Sequence, residues 1–207
     1  MKNYLKRFWY AQKLLLPLFI LVLLFSVGIV SGFSARNSIA GSYLSNLLTG
    51  KESTGSWAGV PNHIDLSEAK PGDILLAGNS SAAYGHFTHA GIIVDTNMLL
   101  EGYADCGIVL APASRYRNYD WACLLRVQVS EPQQSAAVVY ALAQQGKTFY
   151  PGAFKPNEQL WNCTKLIWSA YRQVGVDLDP NRDLWITPDA LYQSPFVKVI
   201  ASSGRQP

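Results

Sequence analysis

The stretch Tyr84–Asp95, "YGHFTHAGIIVD", places two of the chain's 3 histidines, His86 and His89, at the mouth of an apolar run. Thr88 to Asp95 has the length and β-branched content of a buried strand. "TN" follows, and then "MLLEGYA", which predicts a hairpin with Asp-Thr-Asn at its tip. Upstream, Pro71-Gly72-Asp73 is a turn leading into a short strand from Ile74 to Ala77. Downstream, "GIVLAP" and "WACLLRVQV" read as two more strands. His89 opens the central strand, with Ala90-Gly91 leaving space beside it. His86 belongs to the preceding loop. Residues three apart on a strand face opposite ways, which weakens a metal site shared by the two. No HExxH pattern is present either.

Two helices follow the strands. Ser130 opens the first, with Gln133 as its capping-box partner and Gly146 as its stop; "AAVVYALAQQ" lies between them. The second is "WNCTKLIWSAYRQVG", with Asn162 as N-cap and Gly175 as the C-terminal stop. Leu166, Ile167, Ala170, Tyr171 and Val174 share one face, and Cys163 lies at helical offsets before three of them. Cys163 therefore points inward from the first turn. Unsatisfied N–H groups and the helix dipole favour negative charge there, which lowers a thiol's pKa below the free value of about 8.5. A histidine within reach would complete a nucleophile. Without one, the residue is a small buried thiol.

The remaining cysteines are Cys106 and Cys123. They begin strands that could be neighbours, so a disulfide between them in an oxidising compartment is one expectation, and three free thiols the other.

Charge is unevenly placed. The formal net charge is +3, but Lys2, Lys6, Arg7 and Lys13 precede residue 34, where no acid occurs. Removing those four from the 17 basic residues leaves 13 against 14 acidic ones. A near-neutral body gives no basic face and argues against a nucleic-acid partner. From Lys13 to Phe33, "KLLLPLFILVLLFSVGIVSGF" has no charge after its first residue. About 20 apolar residues suffice to span a bilayer, and preceding cations stay on the cytoplasmic side. This predicts one N-terminal transmembrane helix, with the rest of the chain outside. A cleaved signal ending near Val30–Gly32 is the alternative, giving a secreted protein. The expected organisation is anchor or signal over 1–33, a Ser/Gly/Thr/Asn-rich linker with a short helix near Tyr43–Leu48 over 34–63, and one domain over 64–207.

In order, "PGDILL", "FTHAGIIV", "LLEGY", "QGKTFY" and "NCTKLIWSAYRQVGVDL" resemble the circularly permuted papain-like cysteine hydrolases. These are relatives of NlpC-type cell-wall peptidases and of lecithin retinol acyltransferase. The resemblance covers about Leu66 to Leu178, with the cysteine helix after the histidine strand, as in the permuted group. It implies an α+β fold: an antiparallel, partly closed sheet with the nucleophile helix packed on it. It also implies Cys163 as nucleophile, His89 as general base and acid, and Glu101 as the residue that orients the imidazole. Neither metal nor organic cofactor is needed. The implied substrate is an amide or ester, in a cell-wall peptide or in a lipid or N-acyl amide. A non-catalytic wall- or lipid-binding module of the same fold is the rival reading.

Hairpin geometry bears on Glu101. A three-residue loop, Asp95–Asn97, pairs Gly91 with Glu101 and puts the carboxylate on His89's face. A two-residue loop shifts the register and puts it on the other face. The sequence leaves both open.

Overall fold

In a computed structural model, the structure describes residue 48, residues 60–82 and residues 85–205. The expected anchor over 1–33 and most of the linker lie outside the described residues. Among the described residues no helix is long and apolar enough to cross a membrane.

The fold is α+β, with six strands in one antiparallel sheet. The strands are β1 (Ile74–Gly78), β2 (His89–Asp95), β3 (Met98–Tyr103), β4 (Gly107–Pro112), β5 (Trp121–Val127) and β6 (Val197–Ser203). Their spatial order is β4-β3-β2-β1-β5-β6, so β4 and β6 are the edges. A 3-10 turn, Ala113–Asn118, joins β4 to β5. The helices are α1 (Glu131–Leu142), α2 (Cys163–Gln173) and the short α3 (Pro188–Tyr192).

Alternation along the strands divides the core. One face carries Ile74, Leu76, Ala90, Ile92, Leu100 and Leu125 and packs with Ala137, Leu166, Ile167 and Ala170 of the helices. The other carries Leu75, Ala77, Ile93, Leu99 and Leu124, covered by Tyr116 and Tyr119. A fully buried Leu or Ile contributes on the order of 1.5–3 kcal/mol relative to exposure, so α2 is held chiefly by its apolar stripe.

Local signals explain the helix ends. Gln133 Oε1 accepts the Ser130 N–H at 3.2 Å and its hydroxyl at 2.9 Å. The α1 body stops at Leu142, earlier than the Gly146 stop expected from sequence, and single turns continue to that glycine. Asn162 caps α2, its Oδ1 accepting the Lys165 N–H at 2.7 Å. At the other end the Val176 N–H returns to the Tyr171 carbonyl at 3.0 Å, around Gly175 at φ +85°.

The Pro71-Gly72-Asp73 turn is a structural junction. Gly72 sits at φ +93°, and a Cβ there would lie 3.1 Å from the Tyr171 hydroxyl. That hydroxyl donates to the Gly72 carbonyl at 2.5 Å, tying α2 to the turn. The buried Asp73 carboxylate receives a two-pronged ion pair from Arg126, at 2.9 Å and 2.7 Å.

The expected Cys106–Cys123 disulfide is not formed; all three cysteines are free thiols. Cys106 is on the turn into β4, whereas Cys123 is in β5, with β3, β2 and β1 between those strands. At roughly 4.8 Å per strand the gap far exceeds the reach of a disulfide, about 7 Å between Cα atoms. β4 and β5 are consecutive in the chain, yet the 3-10 turn between them carries it across the sheet to the far side of β1.

Candidate active site

The site forms where α2 begins and β2 begins. α2 packs on β2 and β3 through the face bearing Ala90, Ile92 and Leu100. His89 pairs with Ala77, and Gly91 with Leu75, so both point to the opposite face. Cys163 and His89 are each the first residue of their element, and α2 packs on β2. The Cys163 thiol stands near enough to the His89 ring to favour its protonated form.

Glu101 completes the trio. His89 Nε2 lies 2.8 Å from Glu101 Oε2, which leaves Nδ1 as the ring nitrogen for Cys163. The carboxylate is on the correct face because Gly91 pairs with Glu101. The hairpin reaches this register differently from either simple loop. Asp95 pairs with Met98, so only Thr96 and Asn97 form the loop, and Val94 is bulged between the Asp95 and Ile93 pairings. A two-residue loop alone would set Glu101 against Ile92. The extra residue at Val94 shifts the ladder by one and turns Glu101 toward His89.

His89 is 5% exposed. Burial opposes its positive charge, but hydrogen bonds to Cys163 and Glu101, with their negative charge, override that and raise the ring's pKa from 6.5 to about 9. Three tyrosines surround it. Tyr103 stacks on the imidazole at 4.4 Å between centroids, and Tyr116 and Tyr119 follow at 5.5 Å and 6.1 Å. The Tyr103 and Tyr119 hydroxyls are 2.9 Å apart. Burial holds all three phenols above their ordinary pKa range. Space at Gly91 is required, since a Cβ there would lie 2.7 Å from the Tyr116 hydroxyl.

The sequence reading missed Arg115. Its Nη1 stands 3.1 Å from Glu101 Oε1. The contact is charge to charge and lies off the line of a hydrogen bond. "SRYRNY", Ser114–Tyr119, supplies Arg115, Tyr116 and Tyr119. Its density of arginine and tyrosine between two apolar strands was the available signal.

Around the thiol, Asn162 does more than cap. Its Nδ2 donates to the Pro151 and Ala153 carbonyls at 3.2 Å and 3.4 Å, and the Thr164 hydroxyl donates to its Oδ1 at 3.0 Å. Lys165 is buried, with Nζ donating to the Leu160 carbonyl at 2.8 Å and to that of Asn157. Burial lowers its pKa. Together these bonds fasten the segment before α2 onto its first turn.

His86 is separate from the trio. It stacks on Trp121 at 4.5 Å, its carbonyl accepts the indole N–H at 2.9 Å, and its Nε2 is 3.0 Å from the Arg205 carbonyl. Asp189 accepts the backbone N–H groups of His86 and Phe87 at 2.9 Å and 2.7 Å. His86 thus anchors the loop that delivers His89. Among the described residues, no group of three or more His, Cys, Asp or Glu side chains is arranged to hold a metal ion.

The α+β scaffold thus holds a buried His89–Glu101 pair near the half-buried Cys163 at the start of α2. No family model matches the chain. A curated relative is the uncharacterized protein YycO of Bacillus subtilis (strain 168), 26% identical over 140 residues. That match takes in 65% of this chain and 57% of YycO, less than two thirds of the relative's length. Among solved structures, the metalloprotein yiiX from Escherichia coli O157:H7 is similar, with a TM-score of 0.55 and 16% identity. The likeness covers 66% of this chain and 98% of that one, and at this identity it concerns the fold alone.

Proposed function

We propose that this protein is a thiol hydrolase of the permuted papain-like kind, cleaving an amide or ester through a thioester on Cys163. One observation carries the reading: a buried imidazole bonded to Glu101 at 2.8 Å, beside a thiol that opens a helix and favours the ring's protonated form. Cys163 sulfur attacks the carbonyl carbon, and the carbonyl electron pair moves to oxygen. N–H groups of the first turn of α2, which have no partners within the helix, stabilise that oxyanion. The His89 imidazolium gives its proton to the leaving nitrogen or oxygen as that bond breaks, leaving a thioester. His89 then takes a proton from water, hydroxide adds to the carbonyl, and the C–S bond breaks to release a carboxylic acid. Glu101 holds the ring and balances its charge.

These steps use side chains and water. The donor set also suits them better than it suits a divalent ion. Glu101 already faces the Arg115 guanidinium at 3.1 Å, and that cation would repel a metal placed on the carboxylate.

The apolar run Lys13–Phe33, with cations before it, would hold the domain at the outer face of a membrane, where peptidoglycan peptides and lipids both offer amides or esters. The test is capture of the acyl-enzyme. Incubation with an activated ester at pH 6 should add one acyl group to Cys163, found by peptide mapping, and His89→Ala should abolish its turnover. Failure of Cys163 to acylate while other thiols do would favour a non-catalytic module of the same fold.

A further inference from the structure

We propose that Arg115 is a positioning residue for the Cys163–His89 pair, acting through Glu101. This rests on the hydrolase reading above. Glu101 is 0% exposed, and its two oxygens are used differently. Oε2 faces His89 Nε2 at 2.8 Å, and Oε1 faces Arg115 Nη1 at 3.1 Å. A carboxylate removed from water carries a desolvation penalty of several kcal/mol that an ion partner must offset. A neutral imidazole does not do so, and Arg115 carries a permanent charge. The result is an alternating row: Cys163 sulfur, His89 ring, Glu101 carboxylate, Arg115 guanidinium. With Arg115 in place the row is neutral when sulfur is a thiolate and the ring an imidazolium. Without Arg115 the same state carries one uncompensated buried negative charge, which disfavours it.

The Tyr103 ring supports the geometry. The Arg115 guanidinium lies 5.3 Å over it, and His89 stacks on the same ring at 4.4 Å. One aromatic plane thus guides both cations that face Glu101. The Arg115 side chain is 30% exposed, so it enters from the surface by way of the 3-10 turn. The other ionisable groups around the row are few. Tyr103, Tyr116 and Tyr119 remain neutral phenols, held above their usual range by burial. Cys106 is raised by burial and by its contact with Asp105, both on the exposed β3–β4 turn. None of them supplies a second positive charge.

The test uses the full chain and needs no substrate. Rates of iodoacetamide alkylation at Cys163, resolved by peptide mapping, are measured from pH 5 to 9 for wild type, Arg115→Met, Arg115→Lys and His89→Ala. Unfolding midpoints check that each variant folds. Losing the guanidinium removes one positive charge from the row, so Arg115→Met should move the acid limb of the Cys163 profile to higher pH and slow Cys163 about tenfold at pH 6. Arg115→Lys should recover part of the loss, and the Cys106 rate should not change. A folded Arg115→Met whose Cys163 profile superimposes on wild type overturns the proposal. Should the methionine variant not fold, Arg115→Gln is read by the same criterion. His89→Ala separates the two claims: if it slows Cys163 and Arg115→Met does not, only the role of Arg115 falls; if neither does, the hydrolase reading falls with it.

Discussion

Glu101 Oε2 and His89 Nε2 are 2.8 Å apart because Val94 is bulged out of the β2–β3 ladder. The bulge sets the pairing of Gly91 with Glu101 above a two-residue loop. Deleting Val94 leaves a regular hairpin in which Asp95 still meets Met98 and Gly91 still meets Glu101. The deletion should therefore keep fast alkylation at Cys163, with a loss of stability on the order of 1–3 kcal/mol from repacking near the turn. Loss of the fast reaction in a folded deletion variant would mean that the bulge does more than count residues.

Replacing Glu101 by glutamine removes one of the two groups that hold the proton on His89. Burial already pushes the ring down, and Glu101 raises it through both a hydrogen bond and charge. The sign follows: the imidazolium should persist to about pH 9 in the wild type and be lost at lower pH in Glu101→Gln, toward 6.5. Nitrogen chemical shifts of the His89 ring across pH 5–10 read the midpoint directly. An unchanged or higher midpoint in Glu101→Gln would contradict the assignment.

Gly91→Ala tests the space over the ladder. The new Cβ would meet the Tyr116 hydroxyl at 2.7 Å and a Leu99 methyl carbon at 2.9 Å. Overpacking of this kind costs about 1–3 kcal/mol, so Tm should fall by several degrees. A Tm equal to that of the wild type would show that Tyr116 yields freely.

Much of this was legible in the sequence, for physical reasons that differ by element. The α2 boundaries were readable because Asn162 and Gly175 are local signals whose effect does not depend on tertiary contacts. Cys163 could be singled out because a thiol at a helix start is a short-range pattern, whereas the roles of His89 and Glu101 came from the family resemblance of "FTHAGIIV" and "LLEGY". The bulge was not readable, since Val94 is an ordinary strand residue and only the ladder reveals it as extra. The role of His86 depends on Trp121 and Arg205, far along the chain. Arg115 depends on where the 3-10 turn folds over the sheet. The Cys106–Cys123 expectation failed for the same reason, because strand order is a long-range property.

The three thiols should differ sharply in reactivity. Cys123 is buried, and burial pushes its pKa up to about 12, so native protein should not alkylate there. Cys106 is exposed but has its pKa raised, which keeps it protonated near neutrality. Release of Cys123 should require unfolding, and labelling in urea should then count three thiols. Labelling of Cys123 in folded protein would contradict the core described for β5.

The most direct measurement is a competition at pH 6 with iodoacetamide below one equivalent, followed by peptide mapping of wild type and His89→Ala. The account predicts that label in the wild type falls on Cys163 ahead of Cys106 and Cys123, and that His89→Ala slows Cys163 by at least about tenfold, as loss of the paired imidazole requires. Label appearing first on Cys106, or a Cys163 rate unchanged by His89→Ala, would contradict it.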